Sequence, residues 1–448
     1  MKIFINNKPR IESRPKLGGF KTMKKTLIPA FFLLTLFSTM ALAANSKDEK
    51  LQASIRRLTY SGNNVVRYPS LSADGRWMIY IIEIKEEEKT TNAVKMMNVE
   101  DGKERELFRD GSLKGLSPFQ DVPLIVGSKP PVLSARGEVA VFALSLGGPA
   151  SILDHYLAVV NTDGSNFWLT SFPIEALKGK DLESFEFKSG DWERISNYAL
   201  SSDGKRIACV LKGHLGPKRY GNSSAIIFLE PSKKEQRTIL APDFQSKWVW
   251  PSFPCQPLTG GGWAFSMSGN GQIIIFGAQS SSDKNDYDLY LVGWDGAKMK
   301  RITEFHDRWF SLADISHDGQ KVVFFYSGKT EKEIGTYEVR TDGSKLKYLE
   351  SRITPQIEFF DMSGNGRYLL YKNIYKGMIL DLDRGLERVA FDESTAGYVQ
   401  GLFPMDFPQF PAFWSPSIIS LEGDRILLVG PPAAKEKPEV YLLSLKMK

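Results

Sequence analysis

Few residues of the types that perform nucleophilic or metal-assisted catalysis are present in this chain. The sequence has 4 histidines and 2 cysteines, and no two histidines stand at the spacing of metal ligands. It also lacks a Gly-x-Ser-x-Gly motif, which would expose a nucleophilic serine between a strand and a helix. These patterns argue against nucleophilic catalysis, and we predict neither a bound metal nor a cofactor.

The histidines are distributed along the chain as His155, His214, His306 and His317. His317 occupies the variable position of a Ser-His-Asp-Gly turn, where we expect a solvent-exposed side chain. His214 and His306 fall in or beside connections between strands, so they are the better candidates for binding a ligand. A solvated loop histidine is the alternative interpretation of both.

Acidic residues offer a second route to catalysis, because two convergent carboxylates can act as acid and base in polysaccharide cleavage. If the protein is an enzyme, we expect such acids near the axis of the fold, and the candidates are Asp191, Glu193, Asp307 and Asp406. A separate aspartate-rich run that ends at Asp288 resembles a calcium site in composition, but it lacks the spacing of a calcium-binding loop. A solvated loop between strands is the alternative for that run.

Aromatic residues concentrate in segments that we predict to be long connections. The segments 247–257 and 403–414 read KWVWPSFPCQP and FPMDFPQFPAFW. Loops are normally polar, so these residues either pack over the ends of the strands or form a recognition surface. The candidate contact residues are Trp192, Trp248, Trp250, Phe253, Trp309, Phe407, Phe410 and Trp414.

Another predicted connection, 212–224, is basic and reads KGHLGPKRYGNSS. It adds His214, Lys218 and Arg219 to the candidate contact residues, because their positive charge could bind a carboxylate or a sulfate. A soluble loop without a ligand is the alternative.

These candidates need a scaffold, and the strongest pattern in the chain is a repeat of short strands around a tight turn. Each copy has a strand, a Ser-x-Asp-Gly or related turn, and a more apolar strand. Copies lie at 69–82, 131–144, 198–211, 264–278, 312–327, 359–373 and, less regularly, 416–430. Two further strands follow in each unit, so we predict four-stranded antiparallel blades and no sustained helix.

Seven such units can bury both apolar faces by stacking around an axis. The last copy is followed only by a third strand at 440–445, whereas Ile55–Thr59 resembles the fourth strands at 167–170 and 299–303. We therefore predict an all-β fold, a single seven-bladed β-propeller closed by an N-terminal strand in the last blade. Six or eight blades are the alternatives, because the fourth strands are the least regular part of the repeat.

The Ser-x-Asp-Gly-Arg/Lys turns, with Asp-Gly-Ser and Leu-Thr ends such as 163–170, resemble the WD40-like (PD40) repeats of the TolB type. Repeats of this type also build the propellers of prolyl oligopeptidases and dipeptidyl peptidases, and oligogalacturonate lyases are similar. The resemblance implies a propeller fold and does not carry a site with it. The repeats occupy nearly all of the chain after residue 44, so we expect neither the TolB N-terminal domain nor a peptidase domain.

The first 43 residues resemble an export signal. Lys24 and Lys25 precede an apolar run from Leu27 to Phe37, which is followed by small residues at 41–43. Because Met23 opens this pattern, residues 1–22 are either an extension of the signal or lie upstream of the true start. We predict a leader at 1–43, a propeller at 44–448, no membrane span, and a periplasmic or secreted location.

Charge and cysteine content narrow the range of partners. The formal net charge is +6, and all of the excess lies in the predicted leader, so the remainder is close to neutral and nucleic acid is not an expected partner. Cys209 lies in an apolar strand and Cys255 in a Pro-rich connection. A buried thiol with a loop thiol, or a single disulfide, fits this arrangement.

Our leading hypothesis is an exported, non-catalytic propeller that binds a protein, a peptide or a glycan through the face that carries the long connections. The alternative is a polysaccharide-acting lyase or hydrolase with acids near the central tunnel. A structural component of an envelope assembly is a third interpretation, which would place a broad apolar patch on the side or base of the disc.

Overall fold

A computed structural model of the chain describes a propeller built entirely from β-strands in the residues that it covers. The described residues are 51–87, 89–112, 123–127, 129–146, 154–171, 194–214, 222–233, 235–239, 265–279, 287–296, 299–304, 309–327, 334–349, 357–373, 376–392, 419–430, 437 and 439–447. They belong to one compact unit, Glu49–Lys448. Within them, no helix is long and apolar enough to cross a membrane.

The strands group into seven antiparallel sheets, which we number as blades in chain order. A first strand, β1 (Ala53–Arg57), precedes blade 1. Blade 1 contains β2 (Val65–Leu71), β3 (Trp77–Glu86), β4 (Lys89–Asn98) and β5 (Glu104–Arg109). Blade 2 contains β6 (Leu124–Val126), β7 (Val132–Leu133), β8 (Val139–Leu146), β9 (Asp154–Asn161) and β10 (Trp168–Ser171). Its innermost position is divided, because β6 and β7 both pair with β8.

Blades 3 to 6 each have four strands in sequential order. Blade 3 contains β11 (Arg194–Leu200), β12 (Ile207–His214), β13 (Asn222–Glu230) and β14 (Glu235–Ile239), and blade 4 contains β15 (Phe265–Met267), β16 (Ile273–Gln279), β17 (Tyr287–Gly293) and β18 (Lys300–Arg301). Blade 5 contains β19 (Trp309–Ile315), β20 (Lys321–Ser327), β21 (Gly335–Arg340) and β22 (Lys347–Leu349), and blade 6 contains β23 (Ile357–Met362), β24 (Tyr368–Asn373), β25 (Lys376–Asp381) and β26 (Leu386–Asp392).

Blade 7 is closed by the two ends of the described chain. Its strands are β27 (Arg425–Gly430), β28 (Glu439–Leu445) and β1, and an isolated bridge from Ile419 to Ile426 marks the innermost position. Strand β1 pairs with β28 in antiparallel register from Ala53–Leu445 to Arg57–Tyr441. The predictions of seven blades and of an N-terminal strand in the last blade are therefore confirmed.

The core consists of seven separate apolar clusters, one between each pair of neighbouring blades. Successive residues of a strand point to opposite faces of its sheet, so they enter different clusters. Ile274 packs toward blade 3 and Ile275 toward blade 5, and both are fully buried. This two-sided burial explains why the second strands read as continuous apolar runs in the sequence.

The repeated turn between the first and second strands is held by its own side chains. In blade 1, the Ser72 hydroxyl donates to Asp74 Oδ1 at 2.6 Å and accepts the backbone N–H of Trp77 at 3.0 Å. Asp74 Oδ1 also accepts the N–H of Arg76 at 3.0 Å. Ser201 and Ser316 repeat both contacts, while Ser268 and Ser363 donate to an asparagine at the same position. Ser420 instead donates to Asp424, four residues later, and it also accepts a backbone N–H. The Ser-x-Asp-Gly pattern is therefore a structural turn.

Backbone hydrogen bonds join these turns into a closed ring, which we call the turn ring. It consists of the residue after each repeat serine, namely Ala73, Ala135, Ser202, Gly269, His317, Gly364 and Leu421. In each blade the N–H of this residue, or of the residue after it, donates to the carbonyl of the turn-ring residue in the next blade at 2.6–3.1 Å. The last bond runs from Leu421 N–H to Ala73 O at 2.6 Å, so the ring closes on blade 1.

The turn glycines also hold the blades together. Gly137 has φ of +71°, and a Cβ atom there would lie 2.5 Å from Cδ1 of Trp77 in the preceding blade. Equivalent contacts place Arg425 against Gly75 and Arg206 against Gly271. Each glycine therefore provides the positive φ of the turn and also the space for a side chain from the neighbouring blade.

A buried carboxylate fastens β1 to blade 7. Glu439, which is 2% exposed, accepts hydrogen bonds from Arg57 at 2.9 Å, from the Thr59 hydroxyl, and from the Ser61 N–H at 2.7 Å. The Thr59 hydroxyl in turn accepts the N–H of Val440 at 2.9 Å. We call this arrangement the clasp of blade 7.

Blade 4 contains the same arrangement within a continuous stretch of chain. Asp288 is fully buried, binds Arg301 at 2.5 Å and accepts the Thr303 hydroxyl at 2.9 Å. The Thr303 hydroxyl accepts the N–H of Leu289 at 2.9 Å. Asp288 is therefore not a solvated loop residue, whereas the other aspartates of the run that it ends lie outside the described residues. The burial of this side chain on β17 was hidden by the polar residues that precede it.

Cys209 is buried on β12 with a free thiol, and burial raises its pKa. The apolar strand predicted around it is confirmed. Cys255 lies outside the described residues.

Candidate functional site

The strand order gives the disc two different faces. Turns between first and second strands, and between third and fourth strands, lie at one end of the blades, which we call the turn face. Connections from second to third strands, and from each fourth strand to the next blade, join strand ends at the opposite end, the connection face. The turn ring belongs to the turn face.

Most of the predicted contact residues fall outside the described residues. Trp192, Trp248, Trp250, Phe253, Phe407, Phe410, Trp414, Lys218 and Arg219 lie there, and so do His306 and the candidate acids Asp191, Glu193, Asp307 and Asp406. Two contact residues have a described backbone. Trp309 begins β19 opposite Ser327, and His214 ends β12 opposite Asn222. The structure thus places these two at strand ends on the connection face.

Two acids that the sequence analysis missed lie on innermost strands. Asp314 is on β19 and Asp361 is on β23, each three residues before the turn-ring residue of its blade. The innermost strands of neighbouring blades contact one another without forming a sheet, so some of their backbone N–H groups need other acceptors. Asp361 Oδ2 accepts the N–H of Ile419 in blade 7 at 3.1 Å.

Asp314 links three blades through its carboxylate. Oδ1 accepts the Ser266 hydroxyl of blade 4 at 2.8 Å and the N–H of Ile315 at 2.8 Å, and Oδ2 accepts the N–H of Met362 in blade 6 at 3.1 Å. Burial raises the pKa of Asp314, and these three hydrogen bonds oppose the rise without cancelling it. A carboxyl group with a raised pKa near the axis has the property that a general acid needs.

His317 is half-buried rather than exposed, so the expectation for this residue is wrong. Its Nδ1 lies 3.0 Å from the Ser202 hydroxyl, two blades away. The imidazole crosses Gly269, where an added Cβ would lie 2.2 Å from Nδ1. His317 can reach Ser202 because Gly269 has no side chain. The result is a polar segment of the turn ring formed by blades 3 to 5.

These axial groups chiefly connect the blades. The hydrogen bonds of Asp314 and Asp361 to neighbouring backbone satisfy donors that would otherwise be buried without partners. Among the described residues, no group of three or more His, Cys, Asp or Glu side chains is arranged to hold a metal. The sequence does contain a signal for the axial acids, because Asp-Ile-Ser-His-Asp-Gly and Asp-Met-Ser-Gly-Asn-Gly place aspartate at the same repeat position.

Comparison with known proteins shows the fold and nothing narrower. No protein-family model matches the chain, and no curated protein matches its sequence. An oligogalacturonate lyase solved with manganese aligns with 90% of this chain and 95% of its own at 12% identity and a TM-score of 0.55. The oligogalacturonate lyase of Vibrio parahaemolyticus aligns with 89% of this chain and 98% of its own at 11% identity and a TM-score of 0.52.

TolB from Acinetobacter baumannii is also among the similar structures. It aligns with 81% of this chain and 78% of its own at 16% identity, with a TM-score of 0.35 that supports no further argument. The propeller fold that the TolB-type resemblance implied is confirmed by the seven antiparallel sheets of the chain itself. Membership of the PD40 repeat family stays a prediction.

Proposed function

We propose that this chain is an exported, non-catalytic propeller that binds a protein, a peptide or a glycan through its connection face. The periplasm or the external medium is the location that this proposal implies. The single observation that carries it is the difference in construction between the two faces of the disc.

Hydrogen bonds and side-chain contacts join neighbouring blades all around the turn face. All of its first-to-second turns belong to the turn ring, and the positive-φ glycine of each of these turns, from Gly75 to Gly423, faces a side chain of the preceding blade. A surface fastened in this way makes a rigid support, and rigid supports commonly position binding residues on connections at the other end.

The connection face carries the segments that differ from one blade to another. The chain between consecutive described strands is longest at 172–193, 240–264 and 393–418, and each of these segments exceeds 20 residues. Their sequences contain most of the candidate aromatic residues. Tryptophan and phenylalanine offer large contact areas for little loss of side-chain entropy, which suits recognition of a partner.

The test is a binding comparison between two variants of the chain. In the first, Trp248, Trp250, Phe407 and Phe410 are changed to Ala. In the second, Leu346 and Leu386, which are exposed on the turn face, are changed to Ala as the matched control. Circular dichroism must first show that both fold.

Binding is measured on an array of polysaccharides, and by cross-linking to proteins of an envelope extract. We expect a partner to be retained by the parent and the control, and to lose at least about tenfold in affinity with the first variant, which is about 1.4 kcal/mol. Equal retention by both variants would contradict a site on the connection face.

A second candidate function is cleavage of a polysaccharide, favoured by the raised pKa of Asp314 near the axis. The names of the two lyase structures supply a substrate class to test, oligogalacturonate, although their similarity extends to fold alone. The assay measures unsaturated products and new reducing ends from polygalacturonate. Activity that is lost in Asp314→Asn and kept in Asp342→Asn, an exposed turn residue, would favour the enzyme.

A further inference from the structure

The ring has one seam at which a turn is replaced by two strand ends. In blades 1 to 6 the third and fourth strands are consecutive in the chain and are joined on the turn face. In blade 7 the third strand is β28 and the fourth is β1, so no such turn joins them. Their ends lie side by side, and Lys446 N–H donates to Gln52 O at 2.9 Å.

A cleft of about 700 Å³ opens at this seam, between blades 6 and 7. Its volume is within the range of roughly 300–1,000 Å³ that is typical of small-ligand sites. Tyr368, Leu445 and Met447 supply its apolar lining. Tyr368 and Leu445 are buried members of the apolar cluster between the two blades, so this floor is firmly held.

The charged residues of the cleft are separated by sign. Glu422 and Asp424 lie in and beside the turn between the first and second strand positions of blade 7, on the side nearer the axis. Arg384 lies in the turn between the third and fourth strands of blade 6, and Lys446 directly follows the third strand of blade 7, on the side nearer the rim. The cleft therefore has an acidic inner end and a basic outer end.

A further cation of the cleft is neutralised within blade 6. Arg367 donates two hydrogen bonds to Asp381 Oδ2, at 2.8 and 3.2 Å. Burial acts to raise the pKa of Asp381, but Arg367 and backbone N–H groups outweigh it, so the pKa of this carboxyl is lowered. Arg384 is partly neutralised as well, because its Nε lies 3.9 Å from the same oxygen of Asp381. The basic end of the cleft therefore depends chiefly on Lys446, with a smaller contribution from Arg384, and both side chains are exposed.

We propose that the seam cleft binds the backbone of a short peptide with both ends free, its ammonium group toward Glu422 and Asp424 and its carboxylate toward Arg384 and Lys446. Opposite charges at the two ends match a zwitterion and disfavour a ligand that is simply anionic or cationic. The apolar floor accommodates the side chains between the two termini. The site is on the turn face and is independent of the binding proposed for the connection face.

The probe is the tripeptide Ala-Leu-Ala, compared with its N-acetyl form, its C-terminal amide and the form with both ends blocked. Binding to the folded chain is measured by isothermal titration calorimetry up to about 10 mM peptide, since exposed sites of this kind bind weakly. We expect saturable binding of the free peptide, and a loss of about three- to tenfold for each blocked end, as for the removal of one charge-assisted contact.

Variants assign each end of the peptide. Lys446→Met should weaken the free and N-acetyl peptides and leave the amide unaffected, whereas Glu422→Gln should weaken the free and amide peptides and leave the N-acetyl form unaffected. Lys103→Met is the matched control, because its side chain is 84% exposed in a turn of blade 1. Absence of saturable binding, equal binding of the doubly blocked peptide, or equal effects of the control would overturn the proposal.

Discussion

Blades 4 and 7 use the same clasp for different tasks. In each, an arginine and a threonine two residues later bind a buried acid on the third strand. In blade 4 the threonine and the acid are 15 residues apart, and in blade 7 they are 380 apart. Closing the longer loop in an unstructured chain costs about 3 kcal/mol more in entropy. Blade 7 compensates with Ser61, whose N–H and hydroxyl both bind Glu439.

Closure of the ring therefore uses the same acid, arginine and threonine contacts that occur within blade 4, and not an arrangement unique to blade 7. The hydrogen bond from Leu58 N–H to Val440 O corresponds to that from Ile302 N–H to Leu289 O, at 2.8 and 2.9 Å. In blade 7 the third and fourth strands come from opposite ends of the described chain, so their contacts keep the whole ring closed. In blade 4 the third and fourth strands are consecutive in the chain.

The largest expected effect comes from removing β1. Deletion of residues 50–62 takes away the clasp and the burial of Leu51, Ile55 and Leu58 against blades 6, 7 and 1. We expect a loss of roughly 5–10 kcal/mol, which approaches the whole stability of a typical domain. Thermal unfolding followed by circular dichroism measures this, with a chain that begins at residue 44 as the control. Melting at the same temperature as that control would show that β1 does not close the ring.

Removal of each clasp acid compares the two blades directly. Glu439→Ala and Asp288→Ala each leave a buried threonine hydroxyl and a partly exposed arginine without their partner, at a cost of about 2–4 kcal/mol. The loss should be larger for Glu439 by about 1–2 kcal/mol, because Ser61 also loses two hydrogen bonds. Urea unfolding gives both values. A larger loss at Asp288 would reverse the order expected from the contacts.

Substitution of turn glycines separates backbone strain from contact between blades. Gly102 has φ of +71°, and no atom lies within 4 Å of the position that a Cβ would occupy. Gly102→Ala should therefore cost about 1–2 kcal/mol from φ alone. Gly271→Ala, at the edge of blade 4, adds a 2.8 Å approach to Cβ of Ser201 and about 1–3 kcal/mol of overpacking. Gly75→Ala, beside blade 7, meets Cδ of Arg425, which can move, so its cost should lie between the other two.

These three losses are measured by chemical denaturation of the single variants. Equal losses at Gly102 and Gly271 would show that the approach of the neighbouring blade contributes nothing. A loss at Gly75 above that at Gly271 would indicate that the interface beside blade 7 is the more rigid of the two.

The smallest expected effect is a dependence on pH. Asp314 accepts the Ser266 hydroxyl of blade 4, and its pKa is raised in the folded state. Between the pKa of Asp314 in the unfolded chain and its higher pKa in the folded chain, the folded chain binds more protons. The contribution of Asp314 to the free energy of unfolding therefore falls as pH rises through that interval, and it stays low at higher pH. The stability of Asp314→Asn relative to the parent should rise over the same interval. Urea unfolding between about pH 3.5 and 7 tests this, and a constant difference would contradict it.

Contacts within one repeat could be predicted from the sequence, and contacts between repeats could not. Serine, aspartate and glycine at fixed positions predicted the turns, and the likeness of Arg57-Leu58-Thr59 to other fourth strands predicted the closure. The turn ring, in contrast, joins residues whose separation along the chain varies from blade to blade. His317 was expected in solvent because nothing in its own turn indicates that Gly269 leaves a path to Ser202.

The candidate site shows the same difference between what the sequence could predict and what it could not. The aromatic and basic contact residues were selected by composition, and most of them stay predictions because they lie outside the described residues. Asp314 and Asp361 share one repeat position, but they were overlooked because that position alone does not indicate what their carboxylates bind. Their partners are backbone N–H groups of other blades, which only the assembled ring brings within reach.

The turn ring affects the electrostatics along the axis of the propeller. All seven of its hydrogen bonds run in the same sense around the axis, so the corresponding peptide dipoles follow one another in a circle. Vectors arranged head to tail around a closed loop sum to nothing, unlike the aligned dipoles of a helix. The hydrogen-bonded peptides of the turn ring therefore add no net dipole along the axis, and any electrostatic asymmetry there must come from side chains such as Asp314, Asp361 and His317.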